Sequence, residues 1–258
     1  MKKIDFFIAG VQKGGTTALD GYLRRHSRIQ MAAVKEVHFF DNEALAWPDP
    51  DYERLRMAFD WSRPDVVRGE ATPIYIYWPH ALDRLHRYNS KARIIVGLRH
   101  PAFRAYSHWR METKRGDEAL SFGEAIREPA RRRVAEAPNG AHRVHSYVER
   151  GFYAGQIERL LALFPRQQVL FFRTDTLWTD PAGLLGRIHD FIGVERQPVR
   201  DSGYIAPVMT WVPEGPPASD RAYLDALYAS DIDRTARATG LDLADWLEAG
   251  YHEPMQPK

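Results

Sequence analysis

Lys13, Gly14, Gly15, Thr16 and Thr17 stand between an apolar run, Asp5 to Ala9, and a helix-like segment, ALDGYLRRH. These residue types in this order suit a phosphate. Glycines let backbone N–H groups approach an anion closely, a following helix presents its positive N-terminal end, and the Lys13 ammonium and two threonine hydroxyls add donors. The order is not that of a Walker A loop, which sets Lys directly before Ser or Thr and after the last Gly. Here Lys13 precedes the glycine pair. Such a stretch also suits an ordinary tight turn between strand and helix, so it needs a second, independent block.

Residues 92–109, ARIIVGLRHPAFRAYSHW, supply one: an apolar strand ending in Arg99, then Pro101, then a helix carrying Ser107. A planar guanidinium binds phosphate through two N–H bonds, and a hydroxyl adds a third contact. Taken singly, Arg99 reads as a solvated or surface-paired side chain. Together, G-x-x-K-G-G-T-T followed by strand, Arg, Pro, helix and Ser resembles the sulfotransferases that use 3'-phosphoadenosine 5'-phosphosulfate as donor. The resemblance makes Lys13, Gly14, Gly15, Thr16 and Thr17 the 5'-phosphosulfate loop and assigns the donor's 3'-phosphate to Arg99 and Ser107.

Within that family the chain is most similar to the heparan sulfate 3-O- and N-sulfotransferase branch and its bacterial relatives, over most of its length. Residues 35–41, KEVHFFD, resemble the segment carrying the catalytic base, which implies Glu36. His38, two residues on, would share a face with Glu36 on an extended strand. It either orients that carboxylate, acts as an alternative base, or is a hydrogen-bonded histidine beside Phe39 and Phe40. The resemblance further implies acceptor-side roles for Lys35, for Glu70 and Thr72 in EATPIY, and for Tyr153 in a G-x-Y helix, and a donor contact for Tyr204. It implies no metal: Glu36 takes the acceptor's proton while Lys13 stabilises the departing phosphate.

Two departures stand out. The family's Lys after the acceptor-side glutamate is Ala71 here, so the acceptor is expected to be a neutral or weakly charged hydroxyl compound, carbohydrate or small molecule. The family's late Lys-Gly-Arg loop has no counterpart, since residues 205–220 contain neither Lys nor Arg. Donor closure then falls to Met209, Thr210, Trp211, backbone groups or an arginine from elsewhere.

The elements that position these residues read as strands at Asp5–Ala9, Val66–Gly69, Arg93–Leu98 and Val169–Phe172, alternating with helical segments. That pattern predicts an α/β fold, a P-loop-type, mostly parallel sheet with helices on both faces and ligands beyond the strands' carboxyl ends. Apolar spacing at Ile157, Leu160, Leu161 and Phe164 predicts a core helix from Tyr153. Pro181 and Gly193 bracket another helix, and LDLADWL resembles the family's closing helix. Residues 127–143 and 203–219 read as irregular segments near the site mouth. Arg131, Arg132 and Arg133 read as a solvated face or an acceptor patch.

A chain of 258 residues with 44% apolar content is expected to form one domain over 1–258. Its 36 basic and 34 acidic residues leave a net charge near +2, no basis for nonspecific nucleic-acid binding. There are no cysteines, hence no disulfides or thiolate metal sites. No run is long enough to span a bilayer, and the donor's place of synthesis makes a cytoplasmic location the expectation. Nothing fixes an oligomeric state. A P-loop kinase or nucleotidase is the rival enzyme class, but it needs a magnesium-binding carboxylate where this chain has Arg99. A nucleotide-binding protein without catalysis is the rival outside enzymes.

Overall fold

In the computed structural model, residues 2–198 and 215–254 are described. The described residues fall into two compact units, one from residues 2–98 and 159–198, the other from residues 99–158 and 215–254.

The first unit holds the sheet. Strands β1 (Phe6–Gly10), β2 (Ile29–Met31), β3 (Val67–Ala71), β4 (Arg93–Leu98) and β5 (Val169–Arg173) lie in the order β2-β3-β1-β4-β5. Every pairing is parallel, with Ile8 opposite Ala71 on one side and Ile95 on the other. Strands buried on both faces are read as apolar runs, and β1 and β4 fit that rule. Phe6 and Ile8 point to one face and pack with Leu19 and Leu23 of α1 (Thr16–Leu23) and with Leu184 and Ile188 of a later helix. Phe7 points to the other, meeting Phe40 at 5.7 Å and Tyr88 of α2 (Ala81–Tyr88) at 6.4 Å, both edge-on. Helices therefore cover both faces, as expected. The sheet has one strand more than the sequence suggested, since β2 is only three residues long and too short to show a period.

In the second unit, α3 (Pro101–Arg115) starts with Pro101 and is capped by the His100 side chain, which accepts from the Ala102 N–H. Helix α4 (Tyr153–Leu163) begins in this unit and runs on into the first; its first amides are capped by Asp231, which accepts from Tyr153 N at 2.7 Å and Ala154 N at 3.2 Å. In the first unit α5 (Pro181–Ile192) ends at Gly193 in the left-handed conformation, as Pro181 and Gly193 predicted. Asp231 lies on α6 (Ala218–Thr239), a 22-residue helix to which no element was assigned from sequence. Its buried residues include Asp220, Asp231, Thr235 and Thr239 beside Leu224, Tyr228 and Ile232, so polar positions blur the apolar stripe.

One expectation is corrected here. The closing LDLADWL segment is only a 3-10 turn, Ala244–Leu247, started by Asp242 accepting from Ala244 N at 3.1 Å. Within residues 127–143, Arg132–Ala135 forms one helical turn, and the arginines are paired: Arg131 with Glu149 at 2.9 Å, Arg132 with Glu128 at 3.2 Å and Arg133 with Glu118 at 2.8 Å. No helix among the described residues is long and apolar enough to cross a membrane.

Candidate active site

The loop from Gly10 to Thr17 closes directly on the end of β4. Val11 N donates to Gly97 O at 3.0 Å, Gly14 N donates to Val11 O at 2.9 Å, and Thr174 Oγ1 donates to Gly14 O at 3.1 Å. A Cβ on Gly14 would lie 2.7 Å from Gly97 O and 2.9 Å from Val11 O, so only glycine fits. Gly15 stands at the N-cap of α1 with φ 74°, the left-handed region that favours glycine. The cap has no side-chain hydrogen bond and the first turn carries no acidic residue. The N–H groups at the start of α1 thus have no side-chain cap of their own and can receive an anion, beside the exposed Thr17 and the buried Thr16.

Glu36 hangs from the carboxyl end of β3, its N–H donating to Ala71 O at 3.0 Å. Lys35 Nζ lies 2.6 Å from Glu36 Oε1, and His38 Nε2 lies 3.4 Å from Glu36 Oε2. On the other side of the ring, His38 Nδ1 is 2.8 Å from Asp41 Oδ2. His38 does neighbour Glu36, but not through an extended strand: both residues are left-handed, φ 61° and 53°. Among the described residues five non-glycines have such φ values, Lys13, Glu36, His38, His80 and Asn139. Three of the five are expected site residues, and backbone of this kind gathers at functional sites.

The charges follow from these contacts. Burial raises the Glu36 carboxyl, but the His38 hydrogen bond and the Lys35 charge outweigh it and bring it to about 2. The hydrogen bond to Asp41, then that to Glu36, raises His38 to about 9. At neutral pH the site is therefore an imidazolium set between the Glu36 carboxylate and Asp41.

Glu70 and Thr72 lie beneath this turn and are fully buried. Glu70 Oε1 accepts from Val37 N at 3.3 Å and from the Thr72 hydroxyl, whose oxygen accepts from His38 N at 3.4 Å. Their contacts are with the turn's backbone, which corrects the expectation that they face an acceptor: a side chain with no exposed surface supports the site from below. Burial raises the Glu70 carboxyl to about 7.

In the second unit Arg99 follows β4 directly, and its guanidinium pairs with Glu253. Ser107 is buried on α3. Tyr153, also buried, donates its hydroxyl to Arg99 O at 2.7 Å. It therefore fixes the Arg99 backbone, and the acceptor contact expected of it is corrected on the same ground. Tyr204, Met209, Thr210 and Trp211 lie outside the described residues. Asp41, Thr174 and Glu253 were not singled out from sequence. The H-x-x-D spacing was the one available signal for Asp41; contacts as distant as Gly14–Thr174 and Arg99–Glu253 leave none.

Fold and site together define a parallel α/β domain with a glycine loop after its first strand and a carboxylate–imidazole pair in a turn at the carboxyl end of the neighbouring one. The chain belongs to the sulfotransferase domain family, whose model matches residues 3–203. It is 34% identical over 197 residues to human heparan sulfate glucosamine 3-O-sulfotransferase 3B1, covering 73% of this chain and 46% of that protein. Human heparan sulfate glucosamine 3-O-sulfotransferase 6 is 32% identical over 194 residues, covering 73% of this chain and 52% of that one. The chain thus spans about half the length of these curated relatives. The crystal structure of a sulfotransferase from Alicyclobacillus acidocaldarius is 28% identical, with a TM-score of 0.79 over 96% of this chain and 100% of that one.

Proposed function

We propose that this protein transfers a sulfuryl group from 3'-phosphoadenosine 5'-phosphosulfate to an acceptor hydroxyl or amine, with Glu36 as the base. Family membership and the relatives' printed activity support the reaction class. The observation that carries the proposal is Glu36 itself: an ionised carboxylate, held by Lys35 and His38, in a turn tied to the carboxyl end of β3, the strand beside the one that opens the loop. When bound, the donor supplies an activated sulfuryl group on a phosphate leaving group. Glu36 accepts the acceptor's proton as the new S–O or S–N bond forms. His38, aligned by Asp41, keeps that carboxylate in place. Lys13, the amides at the start of α1 and the hydroxyls of Thr16 and Thr17 stabilise charge gathering on the departing phosphate. Arg99 and Ser107 hold the donor's 3'-phosphate, which ties transfer to the 3'-phosphorylated donor.

The acceptor is a hydroxyl compound of the carbohydrate class. Glycan-modifying relatives make carbohydrate the leading class, and Ala71, only 2% exposed, offers no cation for a highly anionic chain. The test is turnover of labelled donor against heparan-type glycans, neutral oligosaccharides and phenols. Transfer to neutral oligosaccharides is expected, and transfer confined to the heparan-type glycan overturns the neutral-acceptor proposal. No label transfer to any acceptor, with donor bound, overturns the reaction itself.

A further inference from the structure

Arg99 is already gripped by a carboxylate of its own chain. Its Nε donates to Glu253 Oε1 at 2.7 Å and its Nη2 to Oε2 at 2.5 Å, the two-point pairing by which a guanidinium also binds phosphate. Both side chains are mostly buried, 15% and 18% exposed, so the pair is shielded from water and salt. The segment that delivers Glu253 is docked by its neighbours. Tyr251 stacks on His100, the residue after Arg99, with ring centroids 5.0 Å apart and planes 17° off parallel. The Tyr251 carbonyl accepts from Arg221 Nη1 at 3.2 Å. On the other side the Tyr153 hydroxyl pins the Arg99 carbonyl, which fixes the backbone and leaves the guanidinium to exchange partners.

We infer that Glu253 is an internal competitor for the donor's 3'-phosphate, and so a residue that sets how strongly the protein selects 3'-phosphorylated nucleotides. The inference rests on the proposal that Arg99 is the 3'-phosphate ligand. One face of a guanidinium cannot serve a carboxylate and a phosphate at once, and the two anions repel each other. Glu253 must therefore swing away for a 3'-phosphate to reach Arg99, and it reclaims Arg99 as the bisphosphate product leaves. A nucleotide without a 3'-phosphate has no contest with Glu253. Its affinity is blind to that residue. For a ligand that does compete, the apparent dissociation constant is the intrinsic one divided by the fraction of protein with Arg99 released. If about one molecule in ten has Arg99 released, affinity falls about tenfold.

The alternative role for Glu253 is to orient Arg99, and it predicts the opposite sign. Calorimetric titration with adenosine 3',5'-bisphosphate and adenosine 5'-monophosphate separates them, using Glu253→Gln, Glu253→Ala, Arg99→Ala and the Arg99→Ala/Glu253→Ala double variant. Both Glu253 variants should bind the bisphosphate about tenfold more tightly, with monophosphate affinity unchanged, and the gain should vanish in the double variant. Glu253→Gln keeps the side-chain shape, so it guards against a folding defect in the alanine variant. Unchanged or weaker bisphosphate binding in both Glu253 variants, while Arg99→Ala loses the bisphosphate selectively, overturns the competitor and leaves Arg99 as the phosphate ligand. Equal losses for both nucleotides in Arg99→Ala overturn the 3'-phosphate assignment, and the competitor with it.

Discussion

His38 Nδ1 meets Asp41 Oδ2 at 2.8 Å, with the aspartate side chain fully buried and the imidazole 43% exposed. A buried carboxylate thus fixes the ring and turns its other nitrogen toward Glu36, 3.4 Å away. The same arrangement is used wherever a carboxylate sets the orientation of an imidazole.

That geometry determines the acid side of the pH profile. With His38 charged beside it, the Glu36 carboxyl sits near 2 and stays ionised through the mildly acidic range. Wild-type kcat/KM should therefore be flat on the acid side down to about pH 4. His38→Asn removes the imidazolium, so the Glu36 carboxyl should rise toward its ordinary value and an acid limb should move up into the measured range. A pH–rate profile of both proteins checks this, and superimposable acid limbs would show that His38 does not tune Glu36.

The buried Glu70 predicts a different pH dependence, read in stability. Its folded-state carboxyl is raised from 4.5 to about 7 by burial, so the folded protein binds more protons than the unfolded chain between those values. Stability should fall as pH climbs from 4.5 to 7 and stay at the lower level above it. Glu70→Gln keeps an oxygen for the Val37 N–H and the Thr72 hydroxyl without the ionisable group. Urea unfolding at a series of pH values should show the variant gaining on wild type across that window. A constant difference contradicts it.

Gly14→Ala tests the loop's close approach to β4. The new Cβ would lie 2.7 Å from one backbone carbonyl oxygen and 2.9 Å from another, neither of which is a flexible side-chain end. A cost of about 1–3 kcal/mol is expected from overpacking, with weaker binding of both the bisphosphate and the monophosphate nucleotide, since each carries the 5'-phosphate. Denaturant melts and calorimetry measure both. Wild-type affinity in a destabilised variant would place the nucleotide elsewhere.

How legible this was in the sequence depended on the range of the contact that defines each residue. The loop, β1, β3, β4 and β5 announce themselves locally, through apolar runs and a glycine pair. The KEVHFFD segment marks Glu36 and His38, but the two-residue period of a strand gives the wrong geometry for them, since paired left-handed residues bring them together. The burial of Glu70, Thr72 and Tyr153 leaves no local signal, because sequence carries no measure of burial. α6 hid because buried Asp and Thr interrupt its apolar stripe, and Glu253 hid because its partner Arg99 is far away in the chain.

Lys13 separates transition-state stabilisation from binding. It is left-handed, φ 70°, in the middle of the loop, and the proposed reaction assigns it to charge that develops only as the phosphate departs. Lys13→Ala should lower kcat by about 100-fold or more, the usual scale for loss of an electrostatic stabiliser, while the bisphosphate product still binds. Turnover within about threefold of wild type would remove Lys13 from the reaction.

The most direct test of sulfuryl transfer with Glu36 as base is label transfer from 3'-phosphoadenosine 5'-phosphosulfate to an accepted hydroxyl compound by wild type and Glu36→Gln, alongside calorimetric binding of the bisphosphate to both. The amide keeps the side chain's shape but cannot take up the proton. Wild type should transfer the label, Glu36→Gln should do so at least about 100-fold more slowly, and the two proteins should bind the bisphosphate equally. Full activity in Glu36→Gln would contradict Glu36 as the base.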